Sequence, residues 1–254
     1  MLKIFATQTS LTKIEMKIIV ALIPLLVAYC VGQCQPWIPV PASQHTWMPW
    51  IWKERFQANV VNARDNAPNI ELIFQGDSIT EGWSWMATDL WDEHYGSRGG
   101  VNYGIGGDST QHVLFRIQNG ETNSPDLAPR LLVLKIGTNN IGWCSENGIA
   151  RGVVTIVEEY RRRLPKMRIL VLGILPRYNM AETTIVDRIN AMVEPNVVEG
   201  NMVRFLNMRD TYFNNATEEL RYEMYNGDGL HLSLAGYVAW QQTMDSLFNE
   251  MWNL

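Results

Sequence analysis

Ile70-Glu71-Leu72-Ile73-Phe74-Gln75-Gly76-Asp77-Ser78 decides how the rest of the chain is read. The apolar run Ile70 to Phe74 is β-rich and stops at a glycine, so it predicts a short strand, Glu71 to Gln75, closed by a turn. That turn sets a serine hydroxyl at the C-terminal lip of the strand, where open α/β sheets gather their chemistry. Ser78 is therefore the candidate nucleophile. A serine hydroxyl is a poor nucleophile until a base takes its proton, and the best candidate base is His231, in Asp228-Gly229-Leu230-His231.

Outward from this strand the pattern alternates. Val101-Asn102-Tyr103-Gly104-Ile105-Gly106-Gly107-Asp108-Ser109-Thr110 reads as a short strand, a glycine cluster and then a helix through Arg116. It has neither the Gly-Lys-Ser/Thr ending nor the glycine spacing of a nucleotide loop. Leu131 to Ile136, apolar except for Lys135, has the pattern of a strand buried on both faces and ends at Gly137-Thr138-Asn139-Asn140. Ile149, Val153, Ile156, Val157, Tyr160 and Leu164 predict an amphipathic helix stopped by Pro165, followed by a strand over 168–174. A helix over 183–197, a strand over 202–206 and a final helix over 233–252 complete the series. Upstream, Met48, Ile51, Trp52, Phe56 and Val60 recur at helical spacing and predict a helix packed on the sheet edge. Trp83, Trp85, Leu90 and Trp91 are read as a loop running into a helix, with buried tryptophans the ordinary outcome. Alternation of strands and helices gives an α/β fold: a three-layer α/β/α, doubly wound sheet of about five parallel strands.

The 254 residues, 46% hydrophobic, can bury one sizeable core. They divide into a signal peptide or signal anchor at 1–33, a linker and helix at 34–66, and the α/β domain at 67–254. In the first part Lys13 and Lys17 precede an uncharged apolar stretch from Ile18 to Ala28, followed by small residues and a Pro-rich region, which is a signal-peptide layout. The stretch is short for a span of roughly 20 residues, which favours cleavage that leaves a mature N-terminus between Val31 and Cys34 and a secreted or lumenal protein without a stable membrane span. An uncleaved membrane anchor is the alternative. The net charge of −5 argues against a nucleic-acid partner, which needs clustered cations. Arg161-Arg162-Arg163 reads as the solvated last turn of a helix. Three cysteines exclude a disulfide framework and leave the pairing of Cys34 with Cys144 open. Asn215-Ala216-Thr217 is a glycosylation sequon only if the chain enters a eukaryotic secretory route. Four scattered histidines and no paired-cysteine spacing give no metal site, and nothing calls for a cofactor.

Loops that follow or flank strand ends thus supply Ser78, Gly107, Asn139 and Asp228 with His231, enough for every role in acyl transfer. Through Gly76-Asp77-Ser78, Gly107, Gly137-Thr138-Asn139 and Asp228-Gly229-Leu230-His231 the chain resembles the SGNH (GDSL-like) hydrolases, from Leu72 to about Trp240. Asn102 to Leu114, Arg116 with Asn119-Gly120-Glu121, Gly137 to Asn140 and Leu172-Gly173-Ile174-Leu175-Pro176-Arg177 are similar to the catalytic subunits of type Ib platelet-activating-factor acetylhydrolase. The resemblance implies a flavodoxin-like SGNH hydrolase fold, with Ser78 as nucleophile, His231 as base and Asp228 orienting it. It also implies an oxyanion hole from the Ser78 and Gly107 backbone N–H groups and the Asn139 amide. Ile79, Thr138 and Leu230, neighbours of those residues, would form a short-acyl pocket. Asn140 stands where the wider family has Asp, as in the acetylhydrolase subunits, and the N-terminal segment is a departure from those intracellular subunits.

Asp and His three residues apart can meet in a turn, leaving the second ring nitrogen for Ser78. A rival pair, Asp108 and His112, lies four apart on a predicted helix. His45 and His94 fall in a linker and a surface segment. The leading expectation is a serine esterase acting on a short-chain, acetyl O-ester, its substrate a small acylated molecule such as an acetyl phospholipid or an acetylated sugar. A carbohydrate O-acetyl esterase, with the Trp83/Trp85 segment stacking on a sugar, is the second reading, and a catalytically silent binding or dimerisation module the third. The family resemblance also admits a homodimer.

Overall fold

The computed structural model describes residues 34–42 and 49–254. The predicted signal segment, Met48 and His45 lie outside them.

Five parallel strands form the sheet: β1 (Leu72–Gly76), β2 (Gly100–Asn102), β3 (Leu131–Lys135), β4 (Arg168–Leu172) and β5 (Val203–Leu206), in the order β2-β1-β3-β4-β5. Both β1 and β3 are buried along their whole length. The period-2 alternation of each strand sorts its side chains between two cores. Ile73, Leu132, Leu134, Ile169, Val171 and Val203 face one core. Leu72, Phe74, Leu131, Val133, Leu170 and Leu172 face the other. The chain steps from β1 to β2 in one direction and then reaches β3 on the opposite side of β1. The crevice of this sheet therefore opens between the C-terminal ends of β1 and β3, the switch point where such folds bind ligands.

The helices are α1 (Pro49–Asp65), α2 (Ser78–Glu81), α3 (Trp83–Met86), α4 (Thr88–His94), α5 (Thr110–Arg116), α6 (Glu146–Arg163), α7 (Met180–Val197), α8 (Arg209–Tyr212) and α9 (Leu234–Asn253). Residues of α1, α5, α6 and α7 cover the first core, and residues of α2 to α4 and α9 cover the second. Side-chain caps fix the starts of the long helices. Ser145 Oγ accepts from Gly148 N, Asn179 from Glu182 N and Ser233 Oγ from Gly236 N. The Asn179 cap starts α7 at Met180, ahead of the predicted Thr183. A two-stranded hairpin, β6 (Phe213–Asn214) with β7 (Glu219–Leu220), precedes the last helix.

Two upstream segments differ from their sequence reading. Helix α1 has the expected spacing, with Trp52 buried, but Ile51, Trp52 and Arg55 also line the cavity at the sheet's C-terminal edge. Residues 36–41, a linker by composition, are fastened to the domain. Thr110 Oγ1 donates to the Pro36 carbonyl (2.9 Å), Val40 N donates to Gln111 O (3.2 Å), and Cys34 forms a disulfide with Cys144.

Candidate active site

Ser78 occupies the first turn of α2, directly after β1. Gly76 is required at this bend, because a Cβ there would lie 2.2 Å from both the Lys135 carbonyl oxygen and Thr80 Oγ1. Asp77 caps the helix by accepting Ile79 N (3.0 Å), and its buried carboxylate meets Lys135 Nζ at 3.2 Å. Burial pulls the Lys135 ammonium below its ordinary value of 10.5, against the attraction of Asp77. Tyr237 bolts the turn from the α9 side, donating to the Ile79 carbonyl at 2.7 Å.

The turn before α9 brings the candidate base, His231. Ser78 Oγ lies 2.9 Å from His231 Nε2, and His231 Nδ1 lies 2.6 Å from Asp228 Oδ2. The other Asp228 oxygen accepts the backbone N–H groups of Leu230 (2.9 Å) and His231 (2.8 Å), which shapes the three-residue turn around the carboxylate. With the proton on Nδ1, the ring donates to Asp228 and leaves Nε2 to accept the serine hydroxyl. Partial burial raises the Asp228 carboxyl, but these three donors outweigh it and hold it below its ordinary value of 3.8. Both side chains stay open to solvent, His231 at 35% and Asp228 at 47% of full exposure.

Gly107 and Asn139 complete the rim. Gly107 has φ +81°, a conformation that L side chains rarely adopt. Asn139 follows β3; one of its two amide donors serves the Asp108 carbonyl (2.8 Å), so a second remains for a ligand. Two positioning contacts were not legible in the sequence. Glu81 Oε2 accepts Gly106 N (2.9 Å) while its other oxygen pairs with Arg55, and burial raises this carboxyl above its ordinary value. Arg177 Nη1 donates to the Thr138 carbonyl (2.6 Å) and hydroxyl (3.0 Å), steadying the turn that carries Asn139. The helical i, i+3 placement of Ser78 and Glu81 was the one available signal.

Ser78, Gly107, Asn139 and His231 line one cavity of ≈ 370 Å³, walled by Ile51, Trp52, Ile105 and Leu230. Of the three residues expected around the acyl group, Leu230 is in this wall. Ile79 is buried in the core shared with Trp83 and Tyr237, and Thr138 is buried beneath Arg177; neither is among the residues lining the cavity. Trp83 is fully buried and edge-on to Phe74, so it offers no face to a sugar, whereas Trp85 is 56% exposed outside the cavity wall.

The rival pair serves another purpose. Asp108 is fully buried and accepts Trp52 Nε1 (2.7 Å) and Arg116 Nε (2.9 Å), while Arg116 also pairs with Glu121. Burial pushes the Asp108 carboxyl up to about 7 against the pull of Arg116. His112 Nδ1 accepts Ser109 N (3.0 Å) in a capping box at the start of α5 and lies 3.8 Å from Asp108. Asn140, the departure from the family pattern, accepts Thr110 N (3.0 Å) and donates to Gln111 Oε1 (2.9 Å). His94 is on α4, 3.9 Å from Glu93.

Comparison with known proteins gives a consistent picture. The GDSL-like Lipase/Acylhydrolase family model matches residues 74–239. The chain is 32% identical over 198 residues to platelet-activating factor acetylhydrolase IB subunit alpha1 of Bos taurus, covering 77% of this chain and 82% of that protein. Among solved structures, a GDSL-like lipase from Bacteroides thetaiotaomicron superposes with a TM-score of 0.61 at 20% identity, covering 78% of this chain and 97% of that one. An acetylxylan esterase from Geobacillus stearothermophilus superposes with a TM-score of 0.52 at 17% identity, covering 68% and 91%. At these identities the two structures speak to the fold alone.

Proposed function

Because the chain belongs to the GDSL-like lipase/acylhydrolase family and is a carboxylic ester hydrolase, we propose that it is a serine esterase that releases short acyl groups, acetyl foremost, from oxygen. The observation that carries this is the continuous line from Ser78 Oγ through the His231 ring to the Asp228 carboxylate, at 2.9 and 2.6 Å.

Ser78 Oγ attacks the ester carbonyl as Nε2 of His231 takes its proton, and Asp228 stabilises the imidazolium. The carbonyl oxygen becomes an oxyanion held by the backbone N–H groups of Ser78 and Gly107 and the free Asn139 donor. Collapse passes the proton from His231 to the departing alkoxide, leaving an acyl-serine. Water, deprotonated by His231, then releases the carboxylate and restores Ser78. The apolar side chains around Leu230 suit a short acyl chain in the cavity of ≈ 370 Å³. The likeness to the acetylhydrolase subunit favours an acetyl ester. Export belongs to the proposal too: the N-terminal pattern is that of a signal peptide, and the Cys34–Cys144 disulfide suits an oxidising compartment. N-terminal sequencing of the expressed protein that still showed Met1 or Met16 would instead favour a membrane anchor or a cytosolic enzyme.

The central test is hydrolysis of p-nitrophenyl acetate together with labelling by an organophosphonate. Ser78→Ala should lose both with an unchanged melting temperature. A label on any other serine, or turnover surviving the substitution, defeats the assignment.

A further inference from the structure

Gly107 and Asn139 form a ridge between two cavities. The larger, of ≈ 680 Å³, is separate from the wall that contains Ser78 and His231, and its lining includes Gln35, Gln111, Asn140 and Trp143. Among the described residues lining it there is no aspartate, glutamate, lysine or arginine.

This wall is held in place. The strap from Cys34 is tied to Cys144 by the disulfide, the Thr110 hydroxyl holds the Pro36 carbonyl, and Val40 N donates to Gln111 O. Asn140 links the start of α5 to the Gln111 side chain (2.9 Å), and Trp143 N donates to Asn140 O (3.2 Å). Trp143 is thus a neighbour of the disulfide on an anchored turn, yet 76% exposed at the cavity rim.

We propose that this cavity is the subsite for the alcohol half of the ester, and that the alcohol it takes is an uncharged, polyhydroxylated ring, the O-acetylated unit of a sugar. The inference rests on the esterase reading above. The acetyl group and the ester oxygen stay beside Ser78 and His231 in the smaller cavity. The remainder of the alcohol crosses the ridge, so the oxyanion donors sit where the substrate divides. Amide side chains both donate and accept, which matches neighbouring hydroxyls on a ring. An exposed indole offers a broad apolar face with a polar edge, suited to the C–H face of such a ring. A phospholipid alcohol carries a phosphate, whose recognition calls for Arg, Lys or an equivalent donor cluster; the described residues of the lining include neither Arg nor Lys, and their one histidine, His112, is turned to the cap of α5.

The test compares kcat/KM for p-nitrophenyl acetate, acetylated xylotriose and an acetyl glycerophosphocholine across the parent, Trp143→Ala, Trp143→Phe and Ser78→Ala. Trp143→Ala should lower kcat/KM for acetylated xylotriose by roughly 5- to 20-fold, mainly through KM, and should lower it less for p-nitrophenyl acetate, whose single aryl ring fills less of the cavity. Trp143→Phe should recover most of the loss. Equal effects on both esters, or none on xylotriose, overturn the subsite. A preference for acetyl glycerophosphocholine that falls with Trp143→Ala assigns the cavity to a lipid alcohol and overturns the sugar. Hydrolysis retained by Ser78→Ala removes the esterase reading itself, an outcome separable from the others.

Discussion

Two Asp–His pairs stand close to the same ridge, and they have opposite fates. Asp228 and His231 are half exposed in a turn, with Nε2 delivered to Ser78 Oγ. Asp108 and His112 are buried, the carboxylate committed to Arg116 and Trp52 and the ring to the cap of α5. Spacing of three or four residues is therefore a weak sign of a dyad. What separates the pairs is whether the second nitrogen faces a hydroxyl at the sheet's switch point, and whether the carboxylate is free of a stronger cation. The buried pair has a structural use of its own: Asp108 immediately follows Gly107, so fixing its side chain through Arg116 and its carbonyl through Asn139 fixes the ridge.

The largest effect that tests this contrast is on turnover. His231→Gln keeps a polar side chain but removes the base, and kcat for p-nitrophenyl acetate should fall by about 10⁴- to 10⁶-fold with little change in melting temperature. A loss under tenfold would mean that another group deprotonates Ser78.

Next in size is a loss of stability. Arg116→Met leaves Asp108 and Glu121 buried without their shared cation, which costs about 3–5 kcal/mol. For a domain of this size the melting temperature should drop by roughly 6–20 °C. Adding Asp108→Asn and Glu121→Gln should recover much of that drop. If the triple variant is no more stable than Arg116→Met, uncompensated charge is not the cause.

These outcomes bear on what the sequence could reveal. The apolar runs at 70–74 and 131–136 announced β1 and β3 because burial on both faces leaves a continuous signature, and alternation with helices then implied a parallel sheet. Ser78, Asp228 and His231 were legible as candidates because local turns present them, and the structure brings their side chains together. The Glu81–Gly106 contact, the tie of Trp52 to Asp108 and the Cys34–Cys144 bond were not, since each joins distant segments through tertiary packing. The acyl-wall expectation holds for Leu230 alone for the same reason: neighbours in sequence of a candidate site residue need not share its face. In the first turn of α2 Ser78 opens to the crevice while Ile79 enters the core.

The exposed pair should also show itself in pH. Asp228 has a folded pKa below its ordinary 3.8, so the stability it contributes is fully present above 3.8 and is lost as pH falls through the lower folded value. The melting-temperature difference between the parent and Asp228→Asn should be flat from about pH 5 upward and shrink below about pH 4. A difference that grows on acidification would contradict the sign.

The smallest expected effect is the most discriminating. His112→Gln makes the same chemical change as His231→Gln, in a helix start that needs an acceptor for Ser109 N and nothing from the reacting atoms. Gln retains a side-chain oxygen able to take that bond, so the loss of stability should stay below about 1 kcal/mol, the usual value of a cap. Because His112 borders the larger cavity, the assay should use p-nitrophenyl acetate, whose alcohol is a small aryl group. There kcat should remain within about twofold, since no proton transfer passes through this ring. If kcat instead fell by 10³-fold or more at unchanged stability, a buried imidazole would be taking part in the chemistry, and exposure at the switch point would no longer distinguish the two pairs.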